Sequence, residues 1–239
     1  NDYSIIERRQ NGNKSAADIL NKVINRSRFI HAFPFVRSVN ISGSLSKNYF
    51  DAESDIDFFI IAHPNRMWLC RTLLTVYKKL FLLNSRKYFC INYFIDTEAM
   101  EIPDKNIFTA TEIITLKNMT GESVYHAFMQ KNKWVTNYYP NFSAEQHFII
   151  AEKEKFTVKT LTEKILNNRI GNWLDNFCLH ITLYFWKRKF KELSLAEFET
   201  NLRSRKHVSK HHPKGFQFKV LVAFDKKCRA FEQQHNVTL

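Results

Sequence analysis

Apolar residues recur along this chain with two different periods, and the change between them divides it. Over Ser15–Phe29, Ile19, Leu20, Val23 and Ile24 fall on one stripe behind a Ser15-x-x-Asp18 start signal, which predicts an amphipathic helix. Val36–Ile41 is a short apolar run that predicts a strand, and it leads into Ser42-Gly43-Ser44, where the chain must turn. The polar stretch Leu45–Ser54 has room for a short helix and a loop. Asp55–Ala62, aromatic and β-branched, predicts a second strand that Pro64 prevents from extending. Helical spacing returns over Asn65–Leu82 through Met67, Leu69, Cys70, Leu73, Leu74, Tyr77, Leu80 and Phe81. Lys87–Ile95 then predicts a third strand with a single polar residue, Asn92, at its middle. Ile107–Leu116 fits either a strand or a helix, and Gly121–Tyr139 reads as a helix closed by Pro140.

Beyond about residue 143 the strand pattern stops. Helical periodicity covers Phe156–Asn167, Asn172–Leu193, Ser194–Leu202 and Phe216–Gln234, with Ser194 and Glu197 spaced as a capping box. Between the last two segments, Lys206 to Lys214 reads as a basic, His-rich loop. The expected plan is an N-terminal α/β unit over residues 1–142 followed by a helical, basic part over residues 143–239.

Composition narrows the classes. A chain of 239 residues that is 44% hydrophobic buries a good core and is not disordered. Its longest apolar runs are broken by Lys78-Lys79 and Lys187-Arg188-Lys189, so no membrane span is expected. Cys70, Cys90, Cys178 and Cys228 show no metal-ligand or redox spacing, and no signal-peptide pattern opens the chain. Both features predict a cytoplasmic protein. The net charge of +13 attracts polyanions, but unevenly. Residues 1–150 carry 18 Lys and Arg against 14 Asp and Glu, whereas residues 151–239 carry 18 against 9. The basic C-terminal region is therefore a candidate contact for nucleic acid or another anionic partner.

The candidate chemistry lies in Gly43-Ser44 and Asp55-Ile56-Asp57. Residues two apart on a strand share a face at roughly 6–7 Å, so Asp55 and Asp57 can converge on one metal ion. Two carboxylates alternating into an apolar strand are costly unless something binds them. Magnesium, or manganese in its place, takes hard oxygen ligands from one or two carboxylates and from substrate phosphates. Gly43 lets the backbone approach a phosphate, Ser44 can donate to the β- or γ-phosphate, and Lys47 is a candidate charge partner for a triphosphate.

Gly-Ser, a spacer of ten residues and Asp-x-Asp among hydrophobics, placed strand–turn–helix–strand, resembles the DNA polymerase β-like nucleotidyltransferase superfamily. The resemblance covers residues 15–140 and rests on Gly43, Ser44, Asp55 and Asp57. It implies an α+β fold with a small mixed sheet, a nucleoside triphosphate substrate with magnesium, and transfer of a nucleoside monophosphate to an acceptor with release of pyrophosphate. The family usually supplies a third carboxylate from the next strand. Here the central position of that strand is Asn92, and Asp96 lies four residues on, so either Asp96 serves from the strand's end or Asn92 occupies the third position. Glu98, Glu101 and Glu112 are remoter substitutes, with Glu112 favoured as lying on a following strand. Adjacent His211-His212 without nearby acids makes a poor metal set. Arg205 and His211 have the Arg-x5-His spacing of helical ribonucleases that accompany minimal nucleotidyltransferases, but Pro213 works against a helix there. The acceptor, whether small molecule, RNA end, protein side chain or second nucleotide, is not encoded in any motif. Two rival readings are a non-catalytic nucleotide- or nucleic-acid-binding module of the same fold, and a partner protein whose helical surface docks a second chain.

Overall fold

Strand pairing sets the architecture, and the computed structural model describes it over residues 3–85, 87–143 and 157–238. In chain order the elements are α1 (Tyr3–Asp18), α2 (Leu20–His31), β1 (Val36–Ser42), the single turn α3 (Gly43–Ser46), β2 (Asp57–Ala62) and α4 (Met67–Phe81). Next come β3 (Cys90–Asp96), α5 (Ile107–Ile114), β4 (Lys117–Thr120), α6 (Glu122–Lys131) and a 3-10 turn over Lys133–Asn137. The chain closes with α7 (Thr157–Leu166), α8 (Arg169–Lys189), α9 (Leu195–Asn201), β5 (Ser204–Arg205), β6 (Val208–Lys210) and α10 (Phe216–His235). The fold is α+β, with one mixed sheet in the order β4-β1-β2-β3-β6-β5. Only β2 and β3 run parallel, and α4 makes the crossover between them. No helix among the described residues is long and apolar enough to cross a membrane.

The two faces of the sheet build two cores, as period-2 alternation requires. Phe58, Ile60 and Ala62 of β2 pack with Trp68, Cys70 and Leu74 of α4, with Val23 and Ile30 of α2, and with Cys178 of α8. Phe59 and Ile61 point the other way, into Ala110 and Ile113 of α5 and Tyr125, Phe128 and Met129 of α6. Asp57 shares the parity of Phe59 and Ile61. It therefore lies where this second core meets solvent at the start of β2.

Several expectations need correction. Ser15–Phe29 is not one helix, for α1 begins at Tyr3 and α2 follows it at Leu20. Only Gly12 and Ala16 of α1 are buried, so no apolar stripe announced it. Ile107–Leu116 resolves to the helix α5, capped by the Asn106 side chain, which accepts from the Thr109 N–H at 3.0 Å. Gly121–Tyr139 is a shorter helix followed by the 3-10 turn. Strand β4 was not expected because two of its three buried side chains, Asn118 and Thr120, are polar: Asn118 donates to Asn40 Oδ1 at 2.9 Å and to Ser38 Oγ at 3.2 Å. Nor do the strands end at residue 143. Residues 204–210, which run into the basic loop expected over 206–214, form the β5–β6 hairpin, and β6 pairs with β3 through Tyr93, Phe94 and Ile95. The sheet thus draws on both sides of the expected 142/143 boundary. Arg205 sits on β5 and His211 just beyond β6, so their spacing is not helical. The predicted helix start at Phe156 lies outside the described residues.

Gly121 holds the turn between β4 and α6 at φ +75°, and a Cβ there would fall 2.0 Å from the Arg37 carbonyl oxygen. Both the left-handed backbone and the clash with main chain oppose any side chain. Gly121→Ala is expected to cost about 3 kcal/mol of stability, read as a lowered denaturant midpoint at unchanged slope; an unchanged midpoint would show that β1 and α6 are not packed this closely.

Candidate functional site

The β1–α3 turn and the start of β2 meet because Ser42 and Asp57 are cross-strand partners. Gly43 follows at φ +69°, and a Cβ at this position would lie 2.5 Å from Asp57 Oδ2. Only glycine leaves the carboxylate that space. On the other side, Asn92 Nδ2 donates to Asp57 Oδ1 at 2.9 Å. The parallel β2–β3 register slips between Phe58 and Phe59, pairing them with Ile91 and Tyr93 and leaving Asn92 as the extra residue of a bulge. The bulge aims Asn92 at the site.

Gly43, Ser44, Asp55, Asp57, Asn92 and Glu112 line one cavity of about 530 Å3. Asp55 precedes β2, is half-buried, and makes no hydrogen bond or ion pair among the described residues. Glu112 comes from α5, not from the following strand on which it was expected. Its Oε1 accepts from Lys47 Nζ at 2.9 Å, and the same ammonium donates to the Gly43 carbonyl at 3.0 Å. Lys47 therefore ties the glycine turn to Glu112, and its role toward a triphosphate would require that this pair open.

Asp96 is not part of this site. It pairs with Ala62 at the far end of β2, five residues from Asp57, or roughly 16 Å along the strands. Same-face parity with Asn92 could not compensate for that distance. Asp96 is buried and fully engaged: Oδ1 accepts from the Glu98 and Ala99 N–H groups at 3.1 and 3.3 Å, and Oδ2 lies 2.7 Å from His207 Nδ1. Asp96, Glu98 and His207 each place one ligand atom within 4.8 Å of the others and could themselves hold a metal ion. Sequence gave no signal for this group, since His207 reaches β3 only through the unforeseen hairpin.

The C-terminal half closes the cavity. Asn201, Lys210, His212, Phe216 and Gln217 line it, and none of them was marked by a motif. Arg203 grips Asp104 with two hydrogen bonds of 2.8 and 3.2 Å, which fastens the hairpin to the loop ahead of α5. Lys210 Nζ donates to Gln217 Oε1 at 2.7 Å and stands 3.6 Å from Asp104.

Burial pushes the Asp57 carboxyl up to about 6. The neighbouring charges of Asp55 and Glu112 push it the same way, and hydrogen bonds from the Cys90 thiol and the Asn92 amide resist. Carboxylates are the hard oxygen donors that a divalent cation takes, but among the described residues the group that brings three ligand atoms within 4.8 Å of one another is Asp96, Glu98 and His207, not Asp55, Asp57 and Glu112. Because the folded carboxyl is raised, the folded state holds its proton more tightly than the unfolded chain does. Stability from this group is present below the unfolded value of 3.8 and is lost as pH rises through the folded value near 6. In chelator, Asp57→Asn should therefore melt a few degrees above the parent at about pH 7.5, with the gap closing by about pH 4, as read by calorimetry. A gap that widens toward acid would contradict the assignment. No protein-family model, curated protein or solved structure matches the chain.

Proposed function

We propose that the protein is a magnesium-dependent nucleotidyltransferase that moves a nucleoside monophosphate from a nucleoside triphosphate to an acceptor hydroxyl. The observation that carries this reading is the convergence of Gly43, Ser44, Asp55, Asp57 and Glu112 on one cavity, with the Gly43 backbone packed against the Asp57 carboxylate. Ser44, which lines the cavity, would donate to a terminal phosphate. Asp55 and Asp57 would hold the cation, and Glu112 takes the place of the third carboxylate that Asp96 cannot supply. A magnesium ion held by Asp55 and Asp57 would supply polarisation of the α-phosphate and neutralise charge on the departing pyrophosphate. The acceptor oxygen forms a bond to the α-phosphorus as the bond to the α,β-bridging oxygen breaks. The electron pair leaves with pyrophosphate, and the acceptor's proton passes to Glu112, which Lys47 holds in position.

One observation favours a second reading. Asn92, an amide, stands beside Asp57 where an acid is expected, which weakens the cluster's charge and suits a module that binds Mg–NTP without turning it over. The basic C-terminal half would serve either reading as a contact for anionic partners.

Incubation with each labelled NTP, magnesium and candidate acceptors, with pyrophosphate measured, separates the two. Transferase chemistry predicts pyrophosphate release that Asp55→Asn and Asp57→Asn each reduce by about a thousandfold while the melting transition is kept. Magnesium-dependent NTP binding without pyrophosphate favours the binding module, and release unaffected by either substitution sinks the mechanism.

A further inference from the structure

The cavity is larger than a triphosphate grip needs, and its lining is of two kinds. Ser44, Asp55, Asp57 and Glu112 are polar, whereas the rings of Tyr93, Phe108 and Phe216 open onto an apolar chamber backed by the buried Phe59, Ile102, Ile113 and Phe128 of the second core. We propose, on the basis of the nucleotidyltransferase reading, that this chamber seats the acceptor, and that the acceptor is a small alcohol with an apolar body of aromatic-ring size and not a nucleic acid.

Three observations lead there. The first is size, since about 530 Å3 is the scale of small-molecule sites, whereas strand-binding proteins use open grooves. The second is charge. The protein is +13 overall, yet among the described residues this cavity is lined by Asp51, Glu53, Asp55, Asp57, Asp104 and Glu112 against the cation Lys210, with Lys47 spent on Glu112 and the Gly43 carbonyl beside it. Lys210 is already engaged by Gln217 and Asp104, and His212 is held uncharged at neutral pH because burial pushes it down to about 4. A chain of phosphates entering beside the NTP would meet carboxylates and, among the described residues, cations already engaged, the reverse of a nucleic-acid channel. The basic excess lies elsewhere, including Lys226, Lys227 and Arg229 on the exposed part of α10.

The third observation is the wall itself. Apolar surface left open in a cavity is the ordinary mark of a ligand that buries it. Phe216, the first residue of α10, meets Phe108 edge-on with ring centroids 6.1 Å apart, so the C-terminal half completes the chamber that α5 begins. An apolar body seated there directs its hydroxyl toward Asp57 and Glu112, where the α-phosphorus is attacked.

The test separates chamber from chemistry by measuring binding without turnover. 2-(4-Fluorophenyl)ethanol serves as the probe, followed by fluorine NMR line broadening, and radiolabelled ATP with magnesium is followed by equilibrium dialysis. The probe is expected to bind the parent and Asp57→Asn equally. Phe108→Asp should weaken it by about tenfold, and Phe216→Ala, at an exposed rim position that tolerates truncation, by about threefold, with ATP binding kept in both. Equal probe affinity in Phe108→Asp and Phe216→Ala, or displacement of the probe by a short single-stranded RNA, would overturn the proposal. Probe binding that follows the predicted series while ATP binds to none of the proteins supports the chamber and contradicts the nucleotidyl-transfer reading instead.

Discussion

Asp57 is pinned between a backbone that leaves no room for a Cβ and an amide on the neighbouring strand, and the rest of the site is arranged around that group. The Ser42–Asp57 pairing brings the Gly43 turn against Oδ2, and the β3 bulge brings Asn92 to Oδ1. Burying a carboxyl while keeping two other acids nearby is expensive unless its charge is met. Other buried polar groups of the sheet, such as Asn40, Asn118 and Asp96, are met by hydrogen bonds, whereas Asp57 faces two further acids, which is what makes its burial informative about function.

The C-terminal half completes the sheet and the cavity together. β6 extends the sheet beyond β3, Arg203 clamps Asp104, and Phe216 with Gln217 closes the wall opposite α5. α8 packs on α4 from the other face, where Asp175 Oδ1 accepts from the Leu69 N–H at 2.8 Å and the Arg66 guanidinium donates to the carbonyls of Leu166 and Asn168. The two halves of the chain are thus joined by buried polar contacts on one face and by the cavity on the other. A basic exterior and an acidic interior coexist because the lysines and arginines of 151–239 lie mostly on solvent-facing helices.

Periodicity alone identified β1, β2, α4, β3 and the C-terminal helices to within a few residues, because each buries a clear apolar face. It failed where burial is polar or contact is nonlocal. Strand β4 hides Asn118 and Thr120, α1 has almost no apolar stripe, and β5–β6 is too short to show a period. The same division runs through the site. Gly43, Ser44, Asp55 and Asp57 line one cavity, although Asp55 precedes β2 and so lacks the shared strand face with Asp57 that the spacing predicts. Asp96 shares a strand with Asn92 but is carried to the other end of the sheet, because parity describes faces and not distance. Glu112 was recognisable only as a spare acid, Lys210 and His212 only as members of a basic, His-rich loop, and Phe216 not at all, since tertiary packing alone brings them to the cavity.

On the proposed reading, cation and nucleotide meet at Asp55 and Asp57 in the cavity and not at the Asp96–Glu98–His207 group. Anomalous diffraction from crystals grown with manganese and a non-hydrolysable NTP analogue tests it directly. The account predicts a manganese peak bound by Asp55 and Asp57 with the phosphates against Ser44. A peak only at Asp96, Glu98 and His207, with the cavity free of nucleotide, would contradict it.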